Sequence, residues 1–158
     1  VNILMVCLGN ICRSPLAEGI LKKHLQQAGM QAYVDSAGLI GYHIGELPDK
    51  RSIAVAAHYG IDITDQRARM FVKSDLQKFD YIFAMDQNNF ENLQEYAVSP
   101  EEQSRIHLLL EFAGLGKKAV PDPYYGDKSD FEHVYQLLDD ACKKVVHKLS
   151  VKSPVKIA

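Results

Sequence analysis

NILMVCLGNICRSP, residues 2–15, carries three local signals in a row, and the fold follows from their order. Asn2 to Val6 form an apolar run of strand length, with none of the alternation that a half-solvated strand shows. Such runs suit a parallel strand buried on both faces. The run ends at Cys7-Leu8-Gly9-Asn10, which reads as a turn. A helix pattern begins at Ser14-Pro15, where serine suits a cap and proline suits the first turn. Leu16, Ile20, Leu21 and Leu25 then give an apolar face, and Gly29 is placed to stop the helix.

Outward from this unit the alternation continues. Residues 32–36 predict a second strand and 49–59 a helix closed by Gly60. Residues 81–85 predict a third strand, 87–96 a helix and 106–110 a fourth strand. After a loop containing residues 121–126, a final helix is expected over 129–149, with Phe131, Val134, Leu138, Ala141, Val145 and Leu149 at helical spacing. Residues 150–158 carry Pro154 and no pattern, so a loose tail of 151–158 is expected after a domain of 1–150. Strands alternating with helices predict an α/β fold: a single-domain, Rossmann-like three-layer sandwich with a four-stranded parallel sheet and helices on both faces. A phosphate-binding loop is expected after the first strand, because ligands of such sheets sit beyond the carboxyl ends of the strands. Cys7 stands there.

Composition narrows the functions. A chain of 158 residues suits one domain. With 18 basic against 20 acidic side chains it offers no basic field for nucleic acid. No apolar run reaches the roughly 20 residues of a membrane helix. Val1 to Leu8 lack the basic start and small-residue cleavage site of a signal peptide. Three cysteines, Cys7, Cys12 and Cys142, are too few for a disulfide framework, and no Cys or His spacing suggests zinc. A cytoplasmic protein with no metal, no cofactor, no nucleic-acid partner and no membrane partner is expected.

Cys7 and Arg13 stand six positions apart across the strand-to-helix turn. A loop entering a helix N-terminus gathers backbone N–H groups in one concavity, and the helix dipole adds positive potential. Leu8, Gly9, Asn10, Ile11, Cys12 and Ser14 thus form a candidate phosphate-binding loop. Gly9 permits backbone geometry that a side chain hinders, and Arg13 adds a planar fork of donors for phosphate oxygens. The same field favours the thiolate of Cys7 as a nucleophile. Ser14 is placed to donate a hydrogen bond to its sulfur. A lone Cys ending a buried strand is usually a core residue, and Cys-x5-Arg arises often by chance. The strand before, the glycine within and the helix after shift the reading to phosphoryl transfer without a metal.

Asp122, held between Pro121 and Pro123, is a candidate general acid for an ester leaving group. Spacing alone leaves it equally well read as a turn-capping aspartate. Tyr124 and Tyr125 follow it, either as an aromatic wall or as core packing. Cys142 falls at helical spacing from Leu138 and Val145 and reads as core.

Residues 6–18 (VCLGNICRSPLAE) resemble the signature loop of the low-molecular-weight protein tyrosine phosphatases. Asp35-Ser36-Ala37-Gly38, Arg67-Ala68-Arg69, Met85-Asp86 and Asp122-Pro123-Tyr124-Tyr125-Gly126 follow in that family's order, so the resemblance spans nearly the whole chain. It implies Cys7 as nucleophile, Arg13 and the loop as phosphate binders, and Asp122 as general acid and base. It implies that Asn10 and Ser36 brace the loop, although both are also ordinary turn residues. Asp86 joins that bracing or caps the helix at Gln87. Tyr42 takes the opposite substrate wall, where mammalian relatives carry tryptophan. Ile11 stands where relatives acting on phosphoarginine have threonine, which favours phosphotyrosine. Gln66 replaces a histidine that supports Ser14 in many relatives. Cys12 is implied to be redox-active, forming a disulfide with Cys7 that protects it. The implied partners are phosphotyrosine proteins and a cognate tyrosine kinase. A thioredoxin-linked arsenate reductase shares a Cys-x5-Arg loop but needs further mid-chain cysteines, and residues 60–100 contain none. A phosphoprotein-binding module without turnover is the remaining alternative.

Overall fold

A computed structural model describes residues 1–152. Strand β1 (Asn2–Cys7) is an interior strand, as its unbroken apolar run requires. It pairs in parallel with β2 (Tyr33–Gly38) on one side and β3 (Tyr81–Ala84) on the other. Strand β4 (Ile106–Leu108) extends the sheet beyond β3, giving the order β2-β1-β3-β4. Successive strand side chains face opposite ways. Ile3, Met5 and Cys7 therefore pack with Leu16 and Ile20 of helix α1 (Arg13–Gln27) and with Val134 and Leu138 of α7 (Lys128–Lys152). Leu4 and Val6 pack on the other face with Leu76 of α3 (Asp75–Lys78) and Leu93 of α4 (Gln87–Tyr96). Helix α2 (Lys50–His58) joins the first layer through Ala56. The result is the expected single α/β domain with a four-stranded parallel sheet between two helix layers.

Several boundaries differ from the sequence reading, each for a local reason. The fourth strand stops at Leu108, and helix α6 (Leu109–Phe112) takes Leu109 and Leu110 onto the α7 side of the sheet. A short apolar run serves a strand or a helix equally, so periodicity could not separate them. Helix α5 (Pro100–Ser104), like α3 and α6, is too short to show a period. Helix α1 starts at Arg13 with Cys12 at its N-cap, and Ser14 caps nothing because its hydroxyl faces Cys7 and Asn10. Gly29, with φ of 68°, ends α1 as expected. Helix α7 continues past Leu149 to Lys152, taking in the first two residues of the expected tail. What remains of that expectation, residues 153–158, lies outside the described residues. Among the described residues no helix is long and apolar enough to cross a membrane.

Candidate active site

Cys7 closes β1 and lies 3% exposed at the base of a cleft. Beyond it, the backbone N–H groups of residues 8–13 donate to no acceptor among the described residues. A strand-to-helix loop with its amides uncommitted is suited to an anion. The left-handed residue of this loop is Asn10, with φ of 58°, and not Gly9. Asparagine tolerates that region better than most side chains. The glycine requirement lies instead in β2, where a Cβ on Gly38 would come within 3.0 Å of Leu8 O and the Gly9 carbonyl carbon. Gly38 thus lets the second strand reach the loop, and Leu39 N then donates to Leu8 O at 2.8 Å.

Asn10 is the hub of a buried network. Its Nδ2 donates to Ser14 Oγ at 2.8 Å and to Ser36 Oγ at 3.0 Å, while its Oδ1 accepts from Arg69 N at 3.0 Å. Ser36 in turn donates to Glu18 Oε1 at 2.8 Å, and Lys22 holds the other Glu18 oxygen. The hydrogens can be placed from the two ends. Arg69 N–H can only donate, which orients the Asn10 amide, and Glu18 takes the Ser36 proton. Ser14 accepts from Asn10, so its own hydrogen is left for Cys7 Sγ, 3.0 Å away. Burial pushes the Glu18 carboxyl up, against the opposing pull of Lys22 and Ser36. Asn10 and Ser36 are therefore bonded to the loop and are more than turn residues. Gln66 does not reach Ser14: its Nε2 donates to Pro15 O at 3.0 Å. The family motifs at Asp35 and Arg69 meet as an ion pair at 3.0 Å, with Asp75 also 3.0 Å from Arg69.

Arg13 is 3% exposed and fully committed in direction. Its Nη1 donates to Asp86 Oδ2 at 2.8 Å and to Val120 O at 3.1 Å, and its Nη2 lies 3.8 Å from Asp122 Oδ2. Burial works against its charge, but Cys7, Asp86 and Asp122 outweigh it and raise the guanidinium above its ordinary value. Asp86 performs both roles read from sequence. One oxygen holds Arg13 and the other caps α4 by accepting from Asn89 N at 2.8 Å.

Asp122 arrives from the far side on a loop anchored by Val120, whose N–H donates to Met85 O at 2.8 Å. Its Oδ1 accepts from Tyr124 N at 3.1 Å, so it closes a turn while Oδ2 faces Arg13. Tyr42, Tyr124 and Tyr125 line the same cleft, of about 460 Å³, with Cys7, Arg13 and Asp122. Tyr42 is 83% and Tyr125 95% exposed, which overturns the core-packing alternative for Tyr125. Leu8, Gly9, Ile11 and Cys12 line the cleft as well. The Cys12 thiol is pushed up to about 12, chiefly by burial and then by Asp49 and Cys7. Cys142 is core, fully buried against α1.

Sequence reasoning missed Ile40 and His43, which line the cleft, and Arg51, which holds it together. Arg51 pairs with Asp49 and donates to Tyr124 O at 2.9 Å and Gly126 O at 3.1 Å. Asp49 N donates to Ile11 O at 2.8 Å. The pair thus ties the phosphate loop to the Asp122 loop. Its only sequence signal was Asp-x-Arg at a helix start, which reads as a cap, and Asp49 does cap α2 through Arg51 N.

Comparison with known proteins agrees with this geometry. Residues 2–155 match the low molecular weight phosphotyrosine protein phosphatase family. A putative low molecular weight protein-tyrosine-phosphatase of Synechocystis is 40% identical, covering 94% of this chain and 96% of its own. The low molecular weight phosphotyrosine protein phosphatase of Schizosaccharomyces pombe is 41% identical, over 88% of this chain and 91% of its own. A crystal structure of a protein tyrosine phosphatase from Entamoeba histolytica superposes with a TM-score of 0.91 at 37% identity, covering 96% of this chain and 98% of that one. A cysteine and arginine on one anion-binding loop, faced by an aspartate, within a fold shared at this identity, show that the chain belongs to the low molecular weight phosphotyrosine protein phosphatase family.

Proposed function

We propose that the protein hydrolyses phosphotyrosine in two steps through phosphocysteine at Cys7, with the remaining residues in the following roles. The Cys7 thiolate attacks phosphorus while Arg13 and the loop amides hold the equatorial oxygens. Asp122 gives its proton to the departing tyrosyl oxygen as the P–O bond breaks. The resulting carboxylate takes a proton from water, which attacks phosphorus and releases phosphate. Cys7 leaves as a thiolate, stabilised by the Ser14 hydroxyl at 3.0 Å. Tyr42, Tyr124 and Tyr125 flank the aryl ring. The apolar Ile11 favours an aryl ester over a guanidino phosphate.

The observation that carries this reading is the approach of Asp122 Oδ2 to within 3.8 Å of Arg13 Nη2, in the cleft that contains Cys7. It supports a proton donor at the mouth of the phosphate-binding loop. The test is a series of aryl phosphates of increasing leaving-group pKa, assayed in EDTA with wild type and Asp122→Ala. The variant should lose roughly 10²- to 10⁴-fold on poor leaving groups and little on good ones. A loss that is uniform across the series removes Asp122 from the acid role.

Cys12 is proposed to protect the nucleophile. Peroxide converts the Cys7 thiolate to a sulfenic acid, and the Cys12 thiol condenses with it to a disulfide, releasing water. Cys12→Ser should then regain at most a small fraction of its activity when thiols are restored after peroxide, where wild type regains most. Equal recovery removes this role. The natural partners under this reading are phosphotyrosine proteins of the cytoplasm and the tyrosine kinase that phosphorylates them.

A further inference from the structure

Behind the Tyr124 wall lies a second groove, of about 570 Å³, between α2 and α7. Ala54, Val55 and Phe131 supply apolar surface, and Lys50, Arg51 and Lys128 supply the charge. The acids in and around it are engaged. Asp49 is held by Arg51, Glu132 accepts from Tyr59 and Gln136, and Asp127 and Asp130 accept from each other's backbone N–H. Lys50 and Lys128 are exposed and have no hydrogen bond or ion pair among the described residues.

Lys50 is not explained by the helix that carries it, and Lys128 finds in its own helix only the electrostatic pull of Glu132 one turn on. Lys50 is the first residue of α2 and Lys128 the first of α7. A cation in the first turn runs against the helix dipole, so local stability argues for other residues there. A choice that contradicts local preference marks a position serving something else. The groove also adjoins the catalytic cleft across one side chain. The Arg51 guanidinium lies 5.8 Å from the centre of the Tyr124 ring and 4.4 Å from that of Phe131.

We infer that this groove receives a segment of the substrate next to the phosphotyrosine, one carrying acidic side chains and an aliphatic residue. The inference rests on the phosphotyrosine reading above and adds a sequence preference to it. An extended chain advances about 3.3 Å per residue, so two to four residues beyond the phosphotyrosine cross the Arg51–Tyr124 ledge. Carboxylates there meet Lys50 and Lys128, while the aliphatic side chain covers Val55 and Phe131. Neutral or basic segments leave Lys50 without a partner and Lys128 with only the electrostatic pull of Glu132.

The test compares kcat/KM on p-nitrophenyl phosphate, on a phosphotyrosine peptide with two glutamates and a leucine in the flanking positions, and on the same peptide with glutamines. Wild type should prefer the acidic peptide by about tenfold at low salt, and the preference should shrink as salt rises. Lys50→Glu/Lys128→Glu should abolish or reverse it, Lys50→Gln/Lys128→Gln should abolish it, and both should keep wild-type rates on p-nitrophenyl phosphate. A wild-type ratio near one, or a preference that survives in both variants, overturns the inference. So does a concentration-dependent dimer that the charge-reversed variant dissolves, since the occupant is then a second copy. Failure of wild type on all three substrates refutes the phosphatase reading itself, a different result from equal use of both peptides.

Discussion

Cys7→Ser should lower kcat on phosphotyrosine by at least about 10⁴-fold while leaving phosphate binding nearly intact. The magnitude is that of removing a nucleophile on which every later step depends. Serine keeps the size of the side chain and can still bond to Ser14 Oγ, which is 3.0 Å from the sulfur in the native protein. What it lacks is the sulfur, because a hydroxyl holds its proton far more tightly than a thiol and is the weaker nucleophile. The phosphate site itself is made of backbone amides and Arg13, none of which the substitution touches. Inhibition by inorganic phosphate should therefore change by less than about threefold. Acid quenching during turnover should trap labelled phosphate on wild type and none on the variant. Activity within tenfold of wild type would mean that another group attacks phosphorus. Loss of phosphate binding together with activity would mean that the loop had collapsed, and that the variant reports on folding only.

Arg13→Lys is the second large effect, and it separates geometry from charge. Lysine keeps a positive charge beside Asp86 and Asp122 but has one nitrogen where arginine has a planar fork. In the native protein Nη1 is committed to Asp86 and Val120 O while Nη2 faces Asp122 across the cleft. A single ammonium cannot meet both demands. The expected loss is roughly 10²- to 10³-fold in kcat/KM, comparable to removing one preorganised donor from a developing anion. Arg13→Ala is the poorer experiment. It leaves the partly buried Asp86 carboxylate without its charged partner, so stability and catalysis fall together. A lysine variant within threefold of wild type would show that charge alone suffices and that the fork is not used.

Cys7 and Arg13 were legible because both lie on one short loop, whose flanking strand and helix are marked by local sequence. Asp122 was half legible: its prolines announced a fixed turn, and it does close one onto Tyr124, but nothing local said that its second oxygen would meet Arg13. Asp86 looked like a choice between two roles, and a carboxylate has two oxygens. Glu18 and Arg51 were invisible for a different reason. On α1 and α2 they read as ordinary helix positions, and they acquire roles only when β2 and the Asp122 loop close over them. The same holds for the backbone of the loop at Gly9. A glycine in a turn suggests a positive φ, but the network placed that conformation on Asn10 and reserved the glycine requirement for Gly38. The fold was readable to within a few residues because β1 and β3, the interior strands, are almost wholly apolar. Its boundaries failed where helices have only four or five residues, as at α3, α5 and α6.

The bonds that converge on Asn10 bear on how this activity can be moved between proteins. Asn10 is held by Ser14 on α1, by Ser36 on β2 and by the Arg69 backbone, and Ser36 is held in turn by Glu18. An eight-residue loop transplanted onto a foreign strand and helix would bring the thiol and the guanidinium but none of these outside supports. Its asparagine would relax from the left-handed conformation, and Ser14 would lose the partner that directs its hydrogen at the sulfur. The bracing of the loop alone therefore takes in the first seventy or so residues folded together, and the two partners of Arg13 (Asp86 and Val120) lie beyond even these. Selection on the motif is, physically, selection on nearly half the chain.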